Sequence, residues 1–171
     1  MIEIAPQISH KGFFPLHKDG RCFIKIPKVG STTANQVLKA GLGWEVCEGK
    51  MVDPDWECVA LVRHPVDRWI SGMSQWAQGA SAQRVPLEES LEKMVFDVHT
   101  QPQAWWLEGV APSLFKLESI QKLWAYLDVT TKVHNNKKDG RKHIFALDKG
   151  HEEKIKSYYA DDLRLWEIAH G

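Results

Sequence analysis

The sequence carries no excess charge of either sign: 22 Lys and Arg offset 22 Asp and Glu, for a formal net charge of zero. So balanced a chain is not a broad electrostatic binder of nucleic acid, which leaves only local basic clusters to consider. Cysteine is scarce. Cys22, Cys47 and Cys58 are odd in number, form no C-x-x-C pair, and two of them sit inside apolar runs, so buried reduced thiols are expected. No apolar stretch approaches the ~20 residues of a membrane span. The N-terminus has neither a basic n-region nor an apolar h-region. A cytoplasmic protein with no membrane partner is therefore expected. Internal repeats and low-complexity segments are also lacking.

What is present fits one globular unit. A chain of 171 residues predicts a single domain over 1–171, and at that length roughly 70% of the unfolded surface is buried. Hydrophobic content of 43% and charged content of 26% are ordinary for a globular protein.

Short β-branched and apolar runs alternate with helical periodicity. "RCFIKI" (21–26), "ECVALV" (57–62) and "SLFKLE" (113–118) read as strands, the second apolar on both faces as a central parallel strand would be. Residues 32–43, 65–77, a stripe of Leu87, Leu91, Met94, Val95 and Val98, a segment with Ile120, Leu123, Trp124 and Leu127, and 151–169 read as helices. The alternation predicts an α/β fold with a mostly parallel sheet and helices on its faces.

The first strand breaks into Pro27-Lys28-Val29-Gly30-Ser31-Thr32-Thr33 before a helix begins. In such sheets ligands bind at the carboxyl ends of strands, where helix N-termini direct free N–H groups outward. Gly30 permits close backbone approach and unusual φ. Ser31, Thr32 and Thr33 can donate to an anion or cap the helix, and Lys28 adds a mobile cation. These residues describe a cradle for a phosphate-like group. The plainer alternative is that Ser31 or Thr32 is only an N-cap and Lys28 a solvated loop residue. The Walker pattern G-x-x-x-x-G-K-[ST] is absent, because here the lysine precedes the glycine.

A second cationic point follows the second strand, in "LVRHPVDRWISG". A kinase usually places a magnesium-binding carboxylate near such a strand end; this strand ends instead in Arg63-His64-Pro65. Arg63 offers a bidentate fork, and Ser71, about two turns into the helix begun near Pro65, a hydroxyl. Alternatively Arg63 pairs with Asp67 and Ser71 faces solvent.

Together "IPKVGSTT" and "VRHPVDRWISG" resemble the two cofactor signatures of sulfotransferases that use 3′-phosphoadenosine 5′-phosphosulfate (PAPS). The likeness is closest to the carbohydrate branch (heparan 2-O-type), with its P-K-x-[AG]-[SC]-T and R-[DH]-P-x-x-R-x-x-S motifs, and spans about Phe13 to Ser71. The resemblance implies a three-layer α/β sandwich akin to nucleotide kinases, and PAPS as co-substrate with no metal. It implies that Lys28, Val29, Gly30, Ser31, Thr32 and Thr33 form the 5′-phosphosulfate loop, and that Arg63 and Ser71 form the 3′-phosphate site. It implies transfer of a sulfuryl group to a hydroxyl of a glycan or small molecule. His64 stands where the family often has Asp and reads as structural or as a cofactor neighbour.

An acceptor hydroxyl needs a base, worth about 10²–10⁴-fold. Candidates are His99, His64, Glu45, Asp97 and His17. His99 is preferred, because "HTQPQ" is similar to H-x-x-P-Q segments of that branch. Trp105 and Trp106 are read either as sugar-stacking platforms or as core. In "HNNKKDGRKH" (134–143), Lys137, Lys138, Arg141 or Lys142 are expected either to close over the cofactor, as a late loop does in the family, or to form a solvated turn. Glu118 resembles a recurring family glutamate of structural role. A phosphoadenosine-binding module without catalysis and a small-molecule kinase are the alternatives.

Overall fold

The computed structural model describes residues 1–3, 13–49, 51–79, 85–130 and 145–171. In chain order the elements are β1 (Ile2–Glu3), β2 (Leu16–Lys18), β3 (Arg21–Ile24), α1 (Ser31–Asn35) running into a π-helical stretch (Gln36–Gly41), β4 (Glu45–Val46), β5 (Met51–Val52), β6 (Glu57–Val62), α2 (Pro65–Gly79), α3 (Leu87–Lys93), α4 (Gln103–Trp106), β7 (Ser113–Lys116), a 3₁₀ turn (Leu117–Ser119) leading into α5 (Ile120–Tyr126), α6 (Lys149–Tyr158) and α7 (Ala160–Ile168).

The main sheet has the order β4-β2-β3-β6-β7; β1 and β5 form a separate antiparallel pair. β3, β6 and β7 run parallel, with Phe23 opposite Val59 and Leu61 opposite Phe115. Val59, Ala60, Leu61 and Val62 are all fully buried, as a central strand covered on both faces requires. The sheet is nevertheless mixed rather than mostly parallel, because β2 pairs antiparallel with both β3 and β4. The cause is a two-residue turn between β2 and β3. Asp19 (φ 48) and Gly20 (φ 75) both adopt positive φ, the conformation in which Asp-Gly closes a tight hairpin.

Cys22 and Cys58 face each other across the β3–β6 pair, and Cys22 and Cys47 are buried. All three are free thiols. Hydrogen bonds to Cys47 and Cys58, then burial, push the Cys22 thiol well above its ordinary range.

Of the expected helices, one stops early and one divides. The stripe 87–98 is helical only to Lys93, because Met94 turns to φ 56 and presents its carbonyl to the Trp69 indole N–H at 2.9 Å. The C-terminal run divides at Tyr159 into α6 and α7. That residue's hydroxyl donates to the Thr100 carbonyl at 2.6 Å, a bond its buried O–H needs. Helix α2 thus sits in its own apolar cluster, with Val66, Trp69 and Met73 against Leu91, Met94, Ile155 and Tyr159. The larger core lies about the sheet. Among the described residues no helix is long and apolar enough to cross a membrane.

Candidate anion-binding site

Because β3 and β6 are parallel neighbours, the segments leaving their carboxyl ends lie side by side. From β3 the chain runs through buried Lys25, Ile26 and Pro27 to a left-handed Lys28 (φ 66) and a left-handed Gly30 (φ 83). A non-glycine residue in that region costs of order 1–3 kcal/mol unless its surroundings hold it there. Gly30 is required twice over: its φ is positive, and a Cβ would fall 2.6 Å from Leu117 Cδ1. Val29, fully buried, anchors the loop between them. Gly30, not Ser31 or Thr32, occupies the N-cap, with no side-chain cap bond. The hydroxyls are therefore not used as caps. Ser31 and Thr33 are half-buried and Thr32 is exposed.

From β6 the chain delivers two arginines onto this loop. Arg68 Nε donates to the Pro27 carbonyl at 3.1 Å, and Arg63 Nη1 reaches the Lys28 carbonyl at 3.5 Å. Asp67 is exposed and, among the described residues, makes no ion pair with Arg63. Lys28 Nζ points toward Gln75 Oε1 of α2, also at 3.5 Å. Ser71, half-buried, lies one turn before Gln75 on the same helix.

The turn carrying His99 also meets α2. A Cβ on Gly72 would lie 2.5 Å from the His99 carbonyl oxygen, so helix and turn are in direct backbone contact. The turn is tied by Thr100, whose Oγ1 accepts from Phe96 N at 2.8 Å and Asp97 N at 3.2 Å. The half-buried His99 ring is held by Asp97: Nδ1 lies 2.9 Å from Oδ2, and the His99 backbone N–H donates to Oδ1 at 2.8 Å. Partial burial raises the Asp97 carboxyl, but the hydrogen bonds from His99 outweigh it and leave Asp97 below its ordinary range. A carboxylate at Nδ1 fixes the proton there and leaves Nε2 as the acceptor nitrogen.

Lys28, at Gln75, and the His99 backbone, at Gly72, thus both meet the middle of α2, which carries Ser71 and follows Arg63. The other candidates are elsewhere. His17 stacks on Trp56 at 4.7 Å, and Glu45 pairs with it across β2 and β4; His17 is opposite Cys22, toward the end of β3 away from the loop. His64 packs edge-on against Trp166 at 5.0 Å. Trp106 is buried against Phe13 and belongs to the core; Trp105 is half-buried beside it. Glu118 accepts from the Trp166 indole at 3.4 Å, a structural contact. Lys138 and Arg141, with Lys137 and Lys142, lie outside the described residues.

No family model, curated protein or solved structure matches the chain.

Three further residues support the site: Arg68 and Gln103 stand inside the quoted motifs without an assigned role, and Asp162 stands outside them. Arg68 is fully buried; burial lowers its pKa, against the pull of Asp162 and Tyr159. Its Nη2 has no partner among the described residues. Asp162, on α7, is raised by burial despite Arg68 and the N–H groups it accepts. Gln103 is completely buried and bonded to the backbone of Arg63. The arginine spacing in "RHPVDR" is a visible signal for Arg68; nothing local in the sequence marks Asp162. Lys25 is buried too, and burial, with Lys39 nearby, pulls its ammonium down to about 8. Among the described residues no group of His, Cys, Asp and Glu is disposed to hold a metal ion.

Proposed function

We propose that the chain is a sulfotransferase that binds PAPS in the loop 28–33 and transfers its sulfuryl group to an acceptor hydroxyl, on a glycan or small molecule. One observation carries this reading. Arg63 and Arg68, from the second motif, take the consecutive carbonyls of Lys28 and Pro27 in the first, so the two anion-binding segments are one wired unit. A three-layer sandwich of the nucleotide-kinase type belongs to the same proposal, supported by parallel β3, β6 and β7 with both segments at the carboxyl ends of adjacent strands.

The residues suit the group. The left-handed Gly30 at the start of α1, the N–H groups of that helix start, and the nearby cations Lys28 and Arg63 suit a doubly anionic phosphosulfate. Bound there, PAPS supplies an SO₃ group that moves in line from its 5′-phosphate to the acceptor oxygen. Charge grows on the bridging oxygen as the S–O bond breaks. Lys28 beside it stabilises that charge more in the transition state than in the ground state. His99 Nε2 takes the proton of the acceptor hydroxyl as its oxygen bonds to sulfur, and Asp97 holds the resulting imidazolium. Arg63 and Ser71 bind the 3′-phosphate.

Calorimetric titration with 3′-phosphoadenosine 5′-phosphate, beside adenosine 5′-phosphate and ATP with magnesium, tests the reading. Binding that requires the 3′-phosphate and ignores magnesium is expected. Preference for magnesium-ATP would make the chain a kinase. Nucleotide binding without turnover in an acceptor screen would make it a binding module.

A further inference from the structure

Arg63 is the first residue beyond β6. Its partner strand β7 ends its register at Lys116 opposite Val62, and β3 ends at Ile24 opposite Ala60, so the main chain of Arg63 has outrun the sheet. A partly buried backbone N–H and C=O left unpaired there would each cost up to about 1–3 kcal/mol. Gln103 satisfies both. Its Oε1 accepts from Arg63 N at 2.9 Å and its Nε2 donates to Arg63 O at 2.9 Å, so one carboxamide replaces the missing strand. Only one orientation of the amide makes both bonds, which fixes Arg63 in place and direction.

Gln103 is itself held from a distance. Its backbone N–H donates to Asp162 Oδ2 at 2.8 Å, and that of Ala104 to Oδ1 at 2.9 Å. Both residues are buried. We propose that Gln103 is a positioning residue for the anion site: held by Asp162 of α7, it aims Arg63, and with it the discrimination for a 3′-phosphate. This rests on the functional reading above. A merely structural role for Gln103 would weaken all nucleotides alike; a positioning role weakens selectively the one that Arg63 reads.

The test uses the whole chain and two probes, 3′-phosphoadenosine 5′-phosphate and adenosine 5′-phosphate, titrated by calorimetry. The ratio of their affinities is the readout. In Gln103→Met, which keeps length and loses both bonds, the ratio should fall about tenfold, the cost of misaligning one charge-assisted contact. Gln103→Glu, which keeps the acceptor for Arg63 N–H and loses the donor, should fall between the two. A folded Gln103→Met with the wild-type ratio overturns the proposal. Should Gln103→Met fail to fold, Gln103→Glu and Asp162→Asn carry the same test, and unchanged ratios there overturn it equally. Wild-type protein lacking any 3′-phosphate preference defeats the functional reading and this proposal with it. Preference present in the wild type and unmoved in the variants defeats the proposal alone.

Discussion

Arg68 Nε donates to the carbonyl of Pro27 across 3.1 Å, joining the interior of α2 to the base of the loop that follows β3. The contact is fully buried and spans 41 positions in sequence, so helix and loop share one geometry. Arg68→Lys keeps a cation but gives up the fork and its reach. It should destabilise the protein by about 1–3 kcal/mol, because the Pro27 carbonyl is left unpaired in the interior. Denaturant midpoints measure this, and a variant as stable as wild type would make the contact incidental.

Gly30→Ala meets two separable obstacles. The positive φ costs of order 1–3 kcal/mol, and the new Cβ would lie 2.6 Å from Leu117 Cδ1. The double variant with Leu117→Ala removes the clash and leaves the backbone strain. Its stability loss should therefore be smaller than the sum of the two single losses. Strict additivity would show that the steric part is absent.

Lys28 occupies the left-handed region at φ 66, where glycine rests at no steric cost. Lys28→Gly relieves a strain of about 1–3 kcal/mol against about 0.4–1 kcal/mol of added unfolded-chain entropy, so stability should be unchanged or modestly higher, while the proposed sulfuryl transfer is abolished. Opposite signs in melting temperature and turnover are the mark of a strained residue kept for chemistry. A destabilised variant would mean that the side chain, not φ, dominates.

Asp97→Asn removes the charge that fixes the His99 tautomer. Turnover should drop by about 10²-fold with nucleotide affinity unchanged. Stability supplies an independent check. The native carboxyl lies below its unfolded value, so the native state binds its proton less readily. Its contribution is present above the ordinary carboxylate range and is lost as pH falls through the native pKa. The Asn variant should therefore lose less stability than wild type on acidification. Equal acid sensitivity would leave Asp97 without a role in the fold.

Lys25 is depressed from 10.5 to about 8 by burial and by Lys39. Between those two values the unfolded chain holds the proton and the native chain does not, so stability rises with pH across that window. Below about 8 the buried ammonium opposes folding. Lys25→Met should therefore be stabilising at pH 7, with the gain shrinking toward pH 10. A gain that does not vary with pH would trace instead to packing.

The three parallel strands were legible as short apolar runs; β6 was read to its exact residues, while the runs at 21–26 and 113–118 each extend two residues beyond β3 and β7. The loop after β3 was legible because the first of those runs breaks at Pro27. What escaped depends on partners distant in sequence. The helix after Leu87 keeps its periodicity beyond Lys93, yet Met94 abandons it to serve Trp69. The division at Tyr159 answers to Thr100. The β2–β3 hairpin is different: Asp19-Gly20 is a local signal, and it stood in the sequence unread. At the candidate site the "HTQPQ" segment already contains Gln103, but its bonds to the Arg63 backbone are not visible before folding, and Asp162, which holds Gln103, is an ordinary polar residue until the chain folds.

Beyond α7 the chain lays His170 alongside β7, its N–H donating to Leu114 O at 2.9 Å and its carbonyl accepting from Lys116 N at 3.0 Å. At the other margin, β4 is only two residues long. Among the described residues the sheet therefore offers no extended open rim to a neighbouring copy, and His170 works as a guard against edge-to-edge aggregation.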